Sequence, residues 1–280
     1  MWGTERQGPL EATLLGQVPY CFCRYCVAEA RRRGIDVERT RIAYGRLYEF
    51  VQEARADERP RDGYLVTLLR LFLGYPELLQ WERMWTEQQR ETHRSIYRTV
   101  KGIDSEKTVG FHIWHHNSFS PFFRAQWDFV DLRHYADWLK PVLYNNCAGA
   151  RFQKYVDQMQ RSLLGDIDRE EATDLLYSVL GLDEGPYAEL ATGGWSADYV
   201  RRETARAVAG VGSVIPIYPG IDIDIPSGQC PTTREGVRDA VLAAFAGGAE
   251  GVVISRKYAE MQLDHLSGVG DALQSLGIRH

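Results

Sequence analysis

Apolar residues along this chain repeat at two spacings. Long segments carry them at helical period (26–50, 64–73, 76–100, 128–139, 150–164, 169–181, 197–208 and 234–246), with short apolar runs between. The stretch that organises the rest is SVIPIYPGIDIDIP at 213–226. Val214, Ile215 and Ile217 suit a strand buried on both faces, Pro219-Gly220 breaks it, and Asp222 and Asp224 follow two residues apart. Runs at 108–113, 140–146 and 251–254 share the pattern, and each closes on polar residues. Strand and helix in alternation predict a row of β/α units, with chemistry on the loops at the carboxyl ends of the strands. The expected fold class is α/β. More finely, it is a TIM-barrel-like (β/α) arrangement, incomplete at about four to five units, within one domain over 1–280. Residues 35–103, with Asp36 as a cap and Pro76 opening a second long helix, form a helical elaboration suited to subunit contacts.

The strand ends supply the candidate chemistry. Asp222 and Asp224 are candidate catalytic carboxylates, joined by Glu5, which stands in a Glu5-Arg6 and Gly8-Pro9 stretch resembling the mouth of another β/α unit. The run at 108–113 delivers His112, Trp114 and His115, and alternation sends His112 and Trp114 to one side. His112 with His115 suits either a metal or the hydroxyls of a sugar. Asn145 and Asn146 offer amide donors and acceptors to a sugar, or equally the chemistry of a turn. Tyr218 precedes the acidic pair. Lys257, Tyr258 and Glu260 follow the last strand, as the edge of a site or as a salt bridge at helical spacing.

Composition narrows the function classes. With 44 % hydrophobic and 25 % charged residues the chain is an ordinary globular sequence. A net charge of −5 lacks the basic footprint of a nucleic-acid binder. No apolar run approaches the roughly 18 residues of a membrane span, and the first residues lack a signal-peptide layout, so the expected location is the cytoplasm. Aromatic residues near strand ends suit sugar stacking as well as packing. Cys21, Cys23 and Cys26 (CFCRYC) lie within six residues, a spacing that suits a metal, zinc above all, or three small buried apolar side chains. P-loop, GxGxxG, GxSxG and HExxH motifs are absent, so no organic cofactor is expected.

Several stretches taken together resemble a known family. GTERQGPL, CFCRYC, WHHNSF, PVLYNN, PGIDIDIP and GVVISRKYAEM occur in an order similar to that of the barrel domain of the zinc-containing bacterial β-galactosidases and related glycoside-hydrolase-like (β/α)8 barrels. The resemblance implies a glycosidase acting by paired carboxylates, with Glu5 as acid/base and Asp222 or Asp224 as nucleophile or base. His112, Trp114, His115, Asn145, Asn146, Tyr218, Lys257, Tyr258 and Glu260 would hold the carbohydrate, and structural zinc would sit on Cys21, Cys23 and Cys26. The sequence departs from the family where its nucleophile is a glutamate, since aspartates stand here, and where asparagine precedes the acid/base, since Thr4 stands there. Counted back from the end, the units correspond to the C-terminal part of a barrel. A homo-oligomer or a second chain would then complete it. Two alternatives accompany this expectation: an inactive carbohydrate-binding or regulatory barrel, and a metal-dependent, non-glycosidic barrel enzyme using His112 and His115.

Overall fold

The computed structural model describes residues 7–18, 21–224, 230–255 and 261–278. Helices α1 (Pro9–Leu14), α2 (Arg24–Arg32), α3 (Val37–Arg55), α4 (Tyr64–Gly74) and α5 (Glu77–Ile103) precede the first strand, β1 (Gly110–Ile113). Short helices α6 (His116–Phe119), α7 (Pro121–Gln126) and α8 (Phe129–Leu132) lead to β2 (Trp138–Pro141). Helices α9 (Asn145–Gln160), α10 (Arg169–Leu180), α11 (Leu190–Gly193) and α12 (Ala197–Val211) lead to β3 (Gly220–Asp222). Helix α13 (Arg234–Ala246), β4 (Val253–Ser255) and α14 (Leu263–Ser275) follow. The chain divides into two compact units, one of Met1–Arg94 with Lys154–Thr173, the other of Ser95–Gln153 with Asp174–His280.

The first unit is helical among its described residues. Asp36 caps α3 as expected, its carboxylate accepting from the Glu38 and Arg39 amides. The apolar face so started buries Ala43, Leu47, Phe50 and Val51. Asp166 accepts from the Tyr64 amide at the start of α4 and pairs with Arg59 at 2.8 Å. No helix among the described residues is long and apolar enough to cross a membrane.

The second unit holds the strands. β1 pairs with β2 and β3 with β4, all parallel. Parallel bridges from Leu139 to Ile217 and from Val142 to Gly220 join the two pairs, so the strands run side by side in chain order. This α/β strip of β/α units is as expected. A closed barrel is not formed among the described residues: β1 and β4 are edges, and a (β/α)8 barrel requires eight strands. Phe111, Ile113, Leu139, Ile217, Phe129, Leu132 and Val211 form the core that fixes β1 and β2 against α8 and α12.

Four local expectations are corrected. The run at 213–217 is not the strand itself. Ser213 has φ +55° just after α12, and pairing begins only at Ile217 and continues through Asp222. Pro219-Gly220 therefore lies within the strand path; Pro219 contributes the one group it has, its carbonyl, to the Val253 amide at 2.9 Å. Asp128 caps only the single turn of α8, because Trp138 and Leu139, expected to end a helix, already pair with β1 together with the expected strand residues Lys140 and Pro141. Asn145 and Asn146 belong to the first turn of α9 rather than to a loop. The loop expected over 118–127 is largely α6 and α7.

Candidate functional site

Beyond the carboxyl end of β3, the chain leaves a cavity of about 180 Å³. At about 30 Å³ per water, it has room for roughly six waters or one small polar ligand. Its lining includes Asn145 and Asn146 from the first turn of α9, Trp195 from the turn before α12, and Asp222 from the last position of β3. Cys230 and Thr232, just before α13, close it from the other side. Two helix N-termini thus converge here, a setting of positive potential. Thr233 caps the second of them by accepting from the Gly236 amide at 3.0 Å. Gly194, at φ +65°, makes the approach possible: a Cβ there would fall 3.0 Å from both the Asn146 carbonyl oxygen and the Cys230 sulfur.

Unpaired polar atoms concentrate around this cavity. Asp222 is 2 % exposed, and neither carboxylate oxygen has a hydrogen-bond partner. Asn146 donates through Nδ2 to Thr232 Oγ1, yet its Oδ1 is buried without a partner, as is the indole N–H of Trp195. Buried polar groups are normally satisfied, so three acceptors and one donor left unpaired on residues of a single cavity mark a place prepared for a polar ligand. Burial pushes the Asp222 carboxyl up to about 7. The Asp222 amide first, then the charge of Arg151, the Cys147 thiol and the Asn146 amide pull the other way, but none of the three donors reaches full hydrogen-bond geometry and together they do not overcome burial. An acid of this kind holds or releases its proton near neutrality, as a general acid or base requires.

The other expected residues are placed differently. Asp224 does not enter the cavity. It accepts from His265 Nδ1 at 2.6 Å and from the Gln262 amide at 2.8 Å, tying the end of β3 to the start of α14. Both its oxygens are thus engaged outside the cavity lining. His115 is fully buried, with Nε2 on Tyr199 Oη and Nδ1 on Arg151, both at 3.1 Å, so neither nitrogen is open to a metal or a sugar. Burial holds its pKa well below the usual imidazole value. His112 is exposed on β1, and Trp114 stacks on His116 at 3.6 Å. Tyr218 leans on Trp138 at 5.9 Å, away from the cavity lining. Asn145 lines the cavity but spends its amide on the Trp195 carbonyl at 3.3 Å. Glu5, Lys257, Tyr258 and Glu260 lie outside the described residues. Of the expected residues, Asp222, Asn145 and Asn146 are brought together.

The three clustered cysteines, in the first unit, meet in space. Their sulfurs lie within 4.8 Å of one another, Cys26 at 3.7 Å from Cys23 and 3.6 Å from Cys21. Tetrahedral thiolates at a zinc–sulfur length of about 2.3 Å stand about 3.8 Å apart, so the spacing fits a metal ion. Cys21 and Cys23 are exposed, which sets aside the reading of three buried apolar side chains. The Cys26 amide above all, with the Cys21 thiol, draws Cys23 down to about 7, while burial chiefly pushes Cys26 up to about 12. Among the described residues, no fourth His, Cys, Asp or Glu joins the group.

Trp195, Cys230 and Thr232 were not singled out from the sequence. Trp195 had one legible signal, a bulky aromatic after Gly193-Gly194 and before the helix cap Ser196. Cys230 and Thr232 carried none, because they reach the cavity only through the return of the chain from β3 to α13. Comparison with protein-family models, with curated proteins and with solved structures finds no match to this chain.

The unpaired carboxylate has a consequence for stability. Asp222 binds its proton more tightly in the folded chain, so its contribution is most favourable below the ordinary value of 3.8. It is lost as pH rises, levelling off past about 7. The interval corresponds to about 4 kcal/mol at most. Urea unfolding should find Asp222→Asn more stable than the parent by about 1–4 kcal/mol at pH 8, with the gap closing at pH 4. An equal gap at both pH values would contradict this.

Proposed function

We propose that this chain is a glycoside-hydrolase-like protein whose cavity beyond β3 holds one ring of a carbohydrate and whose Asp222 serves as general acid/base. The observation that carries the reading is the buried, unpartnered Asp222 carboxyl at about 7, set among unpaired groups of Asn146 and Trp195. A hydroxyl both donates and accepts, so a ring bearing several hydroxyls can satisfy the Asp222 and Asn146 oxygens and the indole N–H together. The cavity is below the 300–1,000 Å³ of drug-sized sites, which favours a single ring over an oligosaccharide within it. Glycoside cleavage uses two carboxyl groups. Asp222 is the one carboxylate lining the cavity among the described residues, and Glu5, the other expected carboxylate, lies outside them. In this reading the four strands are the C-terminal units of a (β/α)8 barrel, which a second copy or another chain completes.

One observation favours a second reading. The cavity lining contains a single carboxylate among the described residues, as suits a protein that binds carbohydrate without cleaving it. Calorimetry with monosaccharides and turnover of aryl glycosides distinguish the two. The leading reading expects binding, turnover that falls as pH rises past about 7, and a loss of about 100-fold or more in Asp222→Asn with binding kept. Binding without turnover assigns the second reading. Absence of binding, or turnover unchanged in Asp222→Asn, overturns the first.

We propose further that Cys21, Cys23 and Cys26 hold a structural zinc ion, supported by the convergence of their sulfurs. Metal analysis of the purified protein should find one zinc per chain, and Cys23→Ser should release it. Zinc retained in Cys23→Ser, or absent from the parent, contradicts the assignment.

A further inference from the structure

A second cluster, separate from the cavity lining, is built across three strands on the face that carries Asp222. Lys140 of β2 reaches across β3 to place Nζ 3.1 Å from Oγ of Ser255, the last residue of β4. Tyr144, just past β2, donates its phenol to the same oxygen at 2.5 Å. Gly220 is what lets both side chains cross: a Cβ there would lie 2.8 Å from Lys140 Cε and 3.2 Å from Tyr144 Cε1. Ser255 is the register partner of Asp222, so the two residues project from the same face of adjacent strands. All three members are half-buried, neither sealed in the core nor freely solvated.

The charge environment is unusual for a lysine. Lys140 has no ion-pair partner among the described residues; its polar contact is Ser255, and the ring of Tyr144 lies 6.0 Å away. We propose that Ser255 is a nucleophile, deprotonated by Lys140 and held in place by Tyr144, that takes acyl groups from carboxylic esters. The arrangement has the form a nucleophilic site requires, a hydroxyl within hydrogen-bond reach of a base and fixed by a third group. Burial lowers the Lys140 pKa, favouring the neutral amine that accepts a proton. Burial raises that of Tyr144, keeping it a hydrogen-bond donor. Ester cleavage then balances in two steps. Ser255 Oγ bonds to the carbonyl carbon, its proton passes to Lys140 Nζ, and the carbon–oxygen bond to the alcohol breaks as Lys140 returns the proton to the leaving oxygen. Water next attacks the acyl-serine with Lys140 as base, releasing the carboxylic acid and restoring the serine. No further reactant is needed. The inference is independent of the glycosidic reading, since it uses neither Asp222 nor the cavity.

The test begins with the unaltered full-length protein. Treated with a fluorophosphonate, digested and mapped by mass spectrometry, it should carry one adduct, on Ser255. With p-nitrophenyl acetate it should show a burst of one nitrophenol per chain. Ser255→Ala and Lys140→Arg should each lower turnover about 100-fold or more. Tyr144→Phe should lower it less and shift its pH profile. The parent profile should rise with pH through the depressed Lys140 pKa, a limb that Lys140→Arg lacks. An adduct on Lys140, Tyr144 or any other residue, or no adduct at all, would overturn the proposal. So would wild-type turnover in Ser255→Ala. Because the mapping uses no variant, a substitution that fails to fold does not blur the result.

Discussion

A carboxyl group carried into a protein interior with no well-formed hydrogen bond on either oxygen raises the free energy of the folded chain whenever it is ionised. Asp222 is in that position: the last residue of β3, 2 % exposed, with both oxygens unpaired. Its neighbours do not neutralise it. Arg151 lowers its pKa but bonds to His115 at 3.1 Å, and Cys147 stays a thiol because burial pushes it up to about 12. The surrounding elements keep the group in place instead of relieving it. β3 is fixed between β2 and β4 by parallel pairing, and the helices that open at Asn145 and Arg234 turn their first residues toward the same space. A carboxyl so held can take up and release a proton near neutral pH.

The parts of this architecture that reveal themselves in sequence are those set by local rules. Asp36 before a helical pattern, Ser196 before another and Pro76 before a third all mark helix starts, because capping and proline act within one turn. Asp222 was legible as a carboxylate at a strand end. What local rules do not carry is which strand end. Pro219-Gly220 reads as a break, yet the strand runs through it because Gly220 is demanded by Lys140 and Tyr144 crossing from β2. Asp224 looks the equal of Asp222 from two residues away. It differs entirely, since left-handed φ at Asp224 turns it to His265 and Gln262, forty residues on. His115 looked like a ligand and is instead a buried strut between Tyr199 and Arg151. The three cysteines were the most readable chemistry, because their spacing places the sulfurs together over a single turn into α2.

The two clusters of the second unit divide one sheet face. Asp222 and Ser255 are neighbours in register, but Asp222 belongs to a cavity lined by amides and an indole, whereas Ser255 belongs to a lysine and a phenol. The separation follows from strand order. β3 supplies a carboxylate where α9 and α13 begin, and β2 sends its lysine past the same strand at the one position without a side chain. Short parallel strands followed by helices thus bring residues some 115 positions apart into hydrogen-bond contact, as with Lys140 and Ser255.

The central claim is that Asp222 titrates near neutrality because it is buried without a partner. Carbon-13 spectra of the side-chain carboxyls, followed from pH 3 to pH 9 and assigned by the signal missing in Asp222→Asn, measure this directly. The account predicts a midpoint for that signal of about 7. A midpoint near the ordinary aspartate value of about 4 would mean that the carboxylate is solvated or paired in solution, and the site described here would not exist.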